Sequence, residues 1–383
     1  MSVYHIYVSS TGIFLLAYGM LIAFYHRWFK RLHQFEAAAN IQPCHRFSVI
    51  IPARNEANCI KTCIESIMKN EYPSNLFEVL VIDDFSTDAT AAIVSNLMEK
   101  YSNLQLVRLA HWISSPINSY KKKAIETGIM QAGFEWIVTT DADCVVPTSW
   151  LRLYDSHLQQ YHNKLVAAPV MFTDNGSLLQ IFQCLDFVSL QGITAASVSA
   201  GFHSMCNGAN LCYEKSAFEA VNGFSGVDNI ASGDDMLLMF KIQKKFGGST
   251  GYIFSQGAIV YTAPMPDWKS FFNQRIRWAS KASKFQDKRV FFVLLLVYLT
   301  NISIFILIPL SFLSYKYILW CVCFMLLKAA IEWPFIRAVS VFFKKEKAFT
   351  LFFLFQPIHI FYTVVAGWLG KAGTYSWKDR QVK

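Results

Sequence analysis

Glu135-Trp-Ile-Val-Thr-Thr-Asp-Ala-Asp-Cys144 is the stretch on which the fold turns. Ile137 and Val138 favour a buried strand, and Thr139 and Thr140 let it continue to two carboxylates, Asp141 and Asp143, one small residue apart. A parallel sheet would present such acids at its carboxyl edge. Two hard oxygen ligands there suit Mg2+ or Mn2+ holding a diphosphate. An Asp-x-Asp pair also occurs in ordinary turns, so its meaning rests on its neighbours.

Those neighbours repeat the pattern. Residues 47–52, 77–82 and 104–109 are β-rich runs, and residues 58–69, 87–100 and 121–131 have helical spacing. Strand and helix alternating in this way predict right-handed crossovers and an α/β doubly wound, mainly parallel sheet. Such sheets bind ligands beyond the carboxyl ends of their strands. Three strands end there in polar or acidic residues: Pro52 to Glu56, Asp83 with Asp84, and Asp141 with Asp143. The loop after the first strand reads Ala53-Arg-Asn-Glu56 where a dinucleotide fold would need Gly-x-Gly-x-x-Gly. Phosphates neutralised by a metal fit this chain better than phosphates resting on glycines.

Hydrophobic residues make up 54% of the 383, with 33 Phe, and the excess collects at the two ends. Residues 4–25 carry no Asp, Glu, Lys or Arg and are long enough to span a bilayer. The flank His26-Arg-Trp-Phe-Lys-Arg31 places its following side in the cytosol by the positive-inside rule. Residues 290–313 form another uncharged run. Residues 317–343 contain Lys328, Glu332, Pro334 and Arg337, which predicts a broken or bundle-facing helix. Residues 348–370 are interrupted at Gln356-Pro357. The basic residues 344–347 and the tail from Lys371 both favour the inside, a conflict that a hairpin kinked at Pro357 would reconcile. The run from Ser177 to Gly192 is apolar but broken by Gln180, Gln183, Asp186 and Gln191, which suggests a helix lying at the membrane interface, or a buried core helix. The expected organisation is therefore an anchor and basic flank at 1–31, a cytoplasmic catalytic domain at 46–285, a membrane region at 290–370 and a basic tail at 371–383.

The net charge of +9 clusters beside the apolar segments, which points to an anionic bilayer surface and to no nucleic acid. Nine cysteines without a Cys-x-x-Cys pair argue against a disulfide framework and against a structural zinc site.

Seven ordered motifs over residues 46–280 resemble the membrane-attached branch of the family 2 glycosyltransferases, which have the GT-A fold. They are Ser48-Val-Ile-Ile-Pro-Ala-Arg-Asn-Glu56, Val81-Ile-Asp-Asp-Phe-Ser-Thr-Asp88, Lys121-Lys-Lys-Ala-Ile125, Asp141-Ala-Asp143, Cys206-Asn-Gly-Ala-Asn210, Gly233-Asp-Asp235 and Gln274-Arg-Ile-Arg-Trp278. The last is the block shared by ceramide glucosyltransferase-like and polysaccharide synthase-like enzymes.

The resemblance implies an inverting transfer of a sugar from a nucleotide-sugar donor, UDP-linked, to a lipid or lipid-linked glycan acceptor at the membrane. It assigns Pro52, Ala53, Glu56, Asp83 and Asp84 to base and ribose, Lys121 and Lys122 to the diphosphate, Asp143 to the metal, and Asp141 to metal and donor. Asp235 is implied as general base with Asp234 supporting it, although the family more often has Glu at the middle acid of Ser232-Gly-Asp-Asp235. Gln274 and Trp278, four apart on one helical face, are implied on the acceptor side with Asn207 and Gly208, and Arg277 at the departing diphosphate. Residue chemistry alone leaves other readings open: Asp83, Asp84 and Asp88 as helix caps, the lysines as a solvated face, and residues 268–278 as an interfacial amphipathic helix. Processive polysaccharide synthesis is the alternative activity. An inactive nucleotide-sugar-binding scaffold is the alternative of another class, and a transporter a third.

Overall fold

The computed structural model describes residues 3–38, 41–113, 117–173, 176–227, 230, 233–282, 284–372, 375–377 and 380–382. The chain forms two compact units, one of His33–Thr173, Ser204–Ala263 and Ser376–Lys383, the other of Met1–Leu32, Asp174–His203 and Pro264–Tyr375. In chain order the elements are α1 (Val3–Phe29), β1 (Phe47–Ala53), α2 (Ile60–Met68), β2 (Phe77–Asp83), α3 (Thr90–Met98), β3 (Leu104–Arg108), α4 (Tyr120–Gln131) and β4 (Trp136–Thr139). Next come α5 (Trp150–Gln160), β5 (Leu165–Ala167), β6 (Val170–Phe172), α6 (Leu178–Ala200), β7 (Leu211–Glu214), α7 (Lys215–Ala220) and α8 (Asp234–Phe246). The remainder is β8 (Thr250–Tyr252), β9 (Val260–Thr262), α9 (Trp268–Ala279), α10 (Lys288–Leu310), α11 (Tyr315–Phe342), α12 (Glu346–Phe349) and α13 (Phe352–Leu369).

The first unit is built on a sheet of order β3-β2-β1-β4-β7-β5-β8. The four strands expected from the sequence run parallel to one another, with Ala53 beside Asp83 and Ile50 beside Thr139. Phe47, Val49, Ile50 and Ile51 of β1 are all fully buried, as a strand covered on both faces must be. Helix α2 buries Ile60, Cys63, Ile64 and Ile67, the i, i+3, i+4, i+7 stripe of an amphipathic helix. Gly128 lets α4 lie close on β1, since a Cβ there would stand 2.7 Å from Ile50 Cγ2. Beyond β4 the sheet turns mixed: β7 is antiparallel to both β4 and β5. Strand order reverses at β1, so the carboxyl ends of β1 and β4 open the crevice where such sheets bind ligands.

The second unit is helical. Among the described helices, α1, α6, α10, α11 and α13 are long and apolar enough to cross a membrane. Helix α1 packs on α6, α10 and α11, and α13 packs on α9, α10 and α11. Gly192 of α6 sits against α11 so closely that a Cβ would be 2.4 Å from Val339 Cγ2.

One expectation is met in its bundle-facing form, and two are revised. Helix α11 runs unbroken through Pro334 and is bundle-facing at Lys328 and Glu332, while Arg337 is exposed: Lys328 Nζ lies 2.6 Å from Glu332, and Gln356 links both, at 3.1 Å to Lys328 and 2.7 Å to Glu332. Helix α13 is likewise continuous through Pro357, so the hairpin is not formed. In an apolar bundle a helix tolerates proline because neighbouring groups re-satisfy the carbonyl that loses its N–H donor. Helix α6 extends to Ala200 with Gln183, Asp186 and Gln191 buried, which is the buried-helix alternative; Gln183 bonds the backbone of Met265 and Asp186 bonds Arg275 of α9.

Candidate active site

The acids at the strand ends have separable duties. Asp88 accepts from Thr90 N at 2.9 Å and from Ala57 N at 3.0 Å, and so serves the start of α3 and the loop beside it. Hydrogen bonds from Thr90 and Ala57 outweigh the opposing effect of burial and hold its carboxyl below the usual range. Asp83 and Asp84 lie at the end of β2, both buried, with Asp84 N donating to Ala53 O at 2.8 Å and Ser86 N to Asp83 Oδ1 at 3.3 Å. Arg54 Nη1 bonds Asp84 O and Phe85 O at 2.9 and 3.0 Å, fastening the loops after β1 and β2 together. Phe85 holds φ 54 and Asn55 φ 53, left-handed conformations disfavoured for side-chain-bearing residues and found where a fold constrains a site. Pro52 is partly buried and Ala53 fully so at the end of β1, and Glu56 N donates to Thr90 Oγ1 at 2.8 Å.

The two lysines at the start of α4 part company. Lys121 Nζ meets Asp141 Oδ1 at 2.6 Å. Burial works against its charge, but Asp141, Asp234 and Asp235 together hold its pKa well above the ordinary lysine value. The acids of β4 and those of α8 thus act on one ammonium. Lys122 is buried, with Nζ donating to Val227 O at 2.5 Å and Ile230 O at 2.6 Å. It fastens Val227 and Ile230, which precede Asp234 and Asp235 in the chain. Asp143 is exposed, and Asp141 half-buried.

Helix α8 begins with Asp234 and Asp235, placed where the helix dipole favours negative charge, after Gly233 at φ 82. Ser232 of the same motif lies outside the described residues. Asp235 Oδ2 accepts from Gly208 N at 3.0 Å and Oδ1 from Met236 N at 2.8 Å. Thr139 Oγ1 donates to Gly208 O at 2.7 Å, so Gly208 ties β4 to the catalytic candidate. Asn207 accepts from Ala209 N at 3.0 Å and caps its own turn. Asn210 is a buried hub: its oxygen accepts from Trp150 Nε1 at 2.7 Å and Tyr154 OH at 2.8 Å, and its nitrogen donates to Pro169 O and Ala258 O, both at 2.8 Å.

In the helical unit, Gln274, Arg277 and Trp278 are all half-buried on α9. The residue between them that spacing alone did not single out is Arg275. Its Nε and Nη2 reach Asp186 Oδ2 at 2.9 and 2.6 Å, and Nη1 bonds Gln274 Oε1. The guanidinium lies over Trp278 at 4.3 Å and Phe271 at 4.6 Å. Tyr362 donates to Asp186 Oδ1. Asp186 interrupts an apolar run and Arg275 sits in a basic motif, so each was visible as an oddity; their pairing across 89 positions was not.

Comparison with known proteins agrees with this architecture. Residues 48–183 match the profile of Glycosyl transferase family 2, and residues 136–333 that of Glycosyl transferase family group 2. The chain is 26% identical over 249 residues to the probable glycosyltransferase YdaM of Bacillus subtilis, covering 63% of this chain and 56% of YdaM. It is 23% identical over 274 residues to a poly-beta-1,6-N-acetyl-D-glucosamine synthase of Staphylococcus epidermidis, covering 70% of this chain and 62% of that one. The chain thus matches less than two thirds of the length of either relative. Among solved structures, the mannosyltransferase PcManGT of Pyrobaculum calidifontis, in complex with GDP-Man and Mn2+, aligns over 96% of this chain and 95% of its own, with TM-score 0.59 and 18% identity, a likeness of fold. With the second profile covering more than half of its length, the chain belongs to the family 2 glycosyltransferases.

Proposed function

We propose that this protein is a multi-pass membrane enzyme that transfers a sugar, with inversion, from a UDP-sugar to a lipid or lipid-linked glycan, its glycosyltransferase unit in the cytosol where nucleotide sugars are supplied. The observation that carries this reading is that Gly208 bonds both Thr139 at the end of β4 and Asp235, while Lys121 bonds Asp141 just beyond the same strand, so donor-side and base-side acids meet at one crevice. Asp83 and Asp84 accept hydrogen bonds from base and ribose, with Pro52, Ala53 and Glu56 lining the same strand ends. Lys121 offers its charge to the diphosphate while Asp141 holds it in place.

The donor set at the end of β4 fits a divalent ion. Asp143 is an exposed carboxylate, Asp141 stands two residues away, and Mg2+ or Mn2+ commonly takes one or two carboxylates with phosphate and water. Such an ion offsets the charge on the departing diphosphate when bound. PcManGT, solved with Mn2+, is consistent with this use.

Asp235 takes the acceptor hydroxyl's proton as that oxygen attacks the anomeric carbon from the face opposite the diphosphate. Its two backbone donors, Gly208 and Met236, fix its orientation. Asp234 supports it from the same turn. Gln274 and Trp278 on the acceptor, and Arg277 on the diphosphate, are assigned on their motif. The likeness to a polysaccharide synthase favours repeated transfer as a second reading. Incubating the purified protein and Mn2+ with a panel of nucleotide sugars and native lipids, with mass spectrometry of the products, tests both. A single added hexose supports the first reading and a ladder the second; absence of transfer from every UDP-sugar rejects the donor assignment.

A further inference from the structure

Away from that crevice, the chain between α1 and β1 is held against α5 by three groups of metal-ligating type. Cys44 Sγ lies 3.6 Å from His45 Nδ1 and 3.8 Å from Asp155 Oδ1, and the latter two are 2.8 Å apart. A tetrahedral zinc with bonds of about 2.0 to 2.3 Å spaces its ligand atoms by about 3.3 to 3.6 Å. Both sulfur edges are near that spacing, and the imidazole–carboxylate edge needs to open by about half an ångström. Thiolate, imidazole and carboxylate together are a ligand set suited to zinc.

The surroundings hold these groups in place. Asp155 is 2% exposed, and Gln159 Nε2 fixes its other oxygen at 2.8 Å. Cys44 N and His45 N donate to Asp155 Oδ1 at 3.3 and 3.0 Å, and Tyr72 OH donates to His45 O at 2.7 Å. The His45 ring stands edge-on to Trp136 at 5.7 Å. Partners of this kind orient metal ligands in proteins. Cys44 is exposed, so a metal ion can reach the three groups from solvent.

We propose that Cys44, His45 and Asp155 form a zinc site that pins the segment entering β1 to α5. Absence of a Cys-x-x-Cys pair does not exclude it, because two ligands are adjacent in sequence and the third comes from a distant helix. On binding, the thiol releases its proton to solvent. The neutral imidazole keeps one proton, now on Nε2, and gives the Nδ1 lone pair to the metal; the carboxylate enters as the anion it already is.

The test uses full-length protein in detergent, stripped with chelator and free of nucleotide, with cobalt and zinc as the probes. Cobalt should produce a thiolate-to-metal charge-transfer band that Cys44→Ser abolishes. Zinc should slow maleimide labelling of Cys44, and Cys44→Ser should weaken zinc binding by about 10-fold or more. Asp143→Asn should leave the cobalt band intact, separating this site from the donor crevice. Because Cys44 is exposed, its serine variant should fold, and a matching melting curve of the stripped proteins checks that. A cobalt spectrum without the band, a band that survives Cys44→Ser, or equal zinc affinity in that variant overturns the proposal.

Discussion

Arg275 and Asp186 form a buried two-point ion pair, with side chains 4% and 2% exposed, between the helix that carries the Gln-x-x-Arg-Trp motif and one that sequence placed at an interface. Removing one partner leaves a buried charge unmatched, which costs about 3 to 5 kcal/mol. Asp186→Asn should therefore lower the thermal midpoint in detergent and cut transfer. Arg275→Lys should rescue poorly, because an ammonium cannot reproduce the planar contact with Asp186 and Trp278. Melting of Asp186→Asn at the wild-type temperature would show that the pair does not support the helical unit.

Asp235 is the assigned base. Asp235→Asn keeps the side chain's size and one oxygen for the backbone donors but cannot take a proton. Turnover should fall by about 100-fold to 10,000-fold, with donor affinity near wild type by calorimetry. Retained turnover would move the base elsewhere.

The adjacent lysines should fail differently. Lys121→Met removes the charge beside Asp141, so donor KM should rise while the melting temperature changes little. Lys122→Met leaves the carbonyls of Val227 and Ile230 without their buried donor, at about 1 to 3 kcal/mol each, so stability should fall first. Matching kinetics and melting curves for the two variants would contradict this division.

Chelation should stop transfer, and added Mg2+ or Mn2+ should restore it. Asp143→Asn should raise the metal concentration for half-maximal rate by about 10-fold or more, whereas Lys121→Met should act on donor KM. A metal requirement unaltered in Asp143→Asn would remove that residue from the site.

Gly192 tests the helix packing. Gly192→Val would push atoms into Val339 and Phe335, and overpacking of this kind costs about 1 to 3 kcal/mol or more. The expected readout is a lower melting temperature without a change in donor binding.

The sequence by itself determined the first four strands, their parallel direction and the acids at their carboxyl ends, because an apolar β run stopped by carboxylates is a local pattern read within a few residues. It also carried the motifs of the family and the long apolar segments. Tertiary structure alone decided that Asp88 serves the start of α3 while Asp83 and Asp84 remain at the strand edge, that Lys121 meets Asp141 while Lys122 turns to backbone carbonyls, and that β7 runs antiparallel. It decided equally that Asp186 finds Arg275 and that α11 and α13 continue through their prolines. Periodicity and propensity act along neighbouring residues. Which charge meets which depends on segments far apart in the chain arriving side by side, and that is set by packing and by the cost of leaving a buried polar group unpaired.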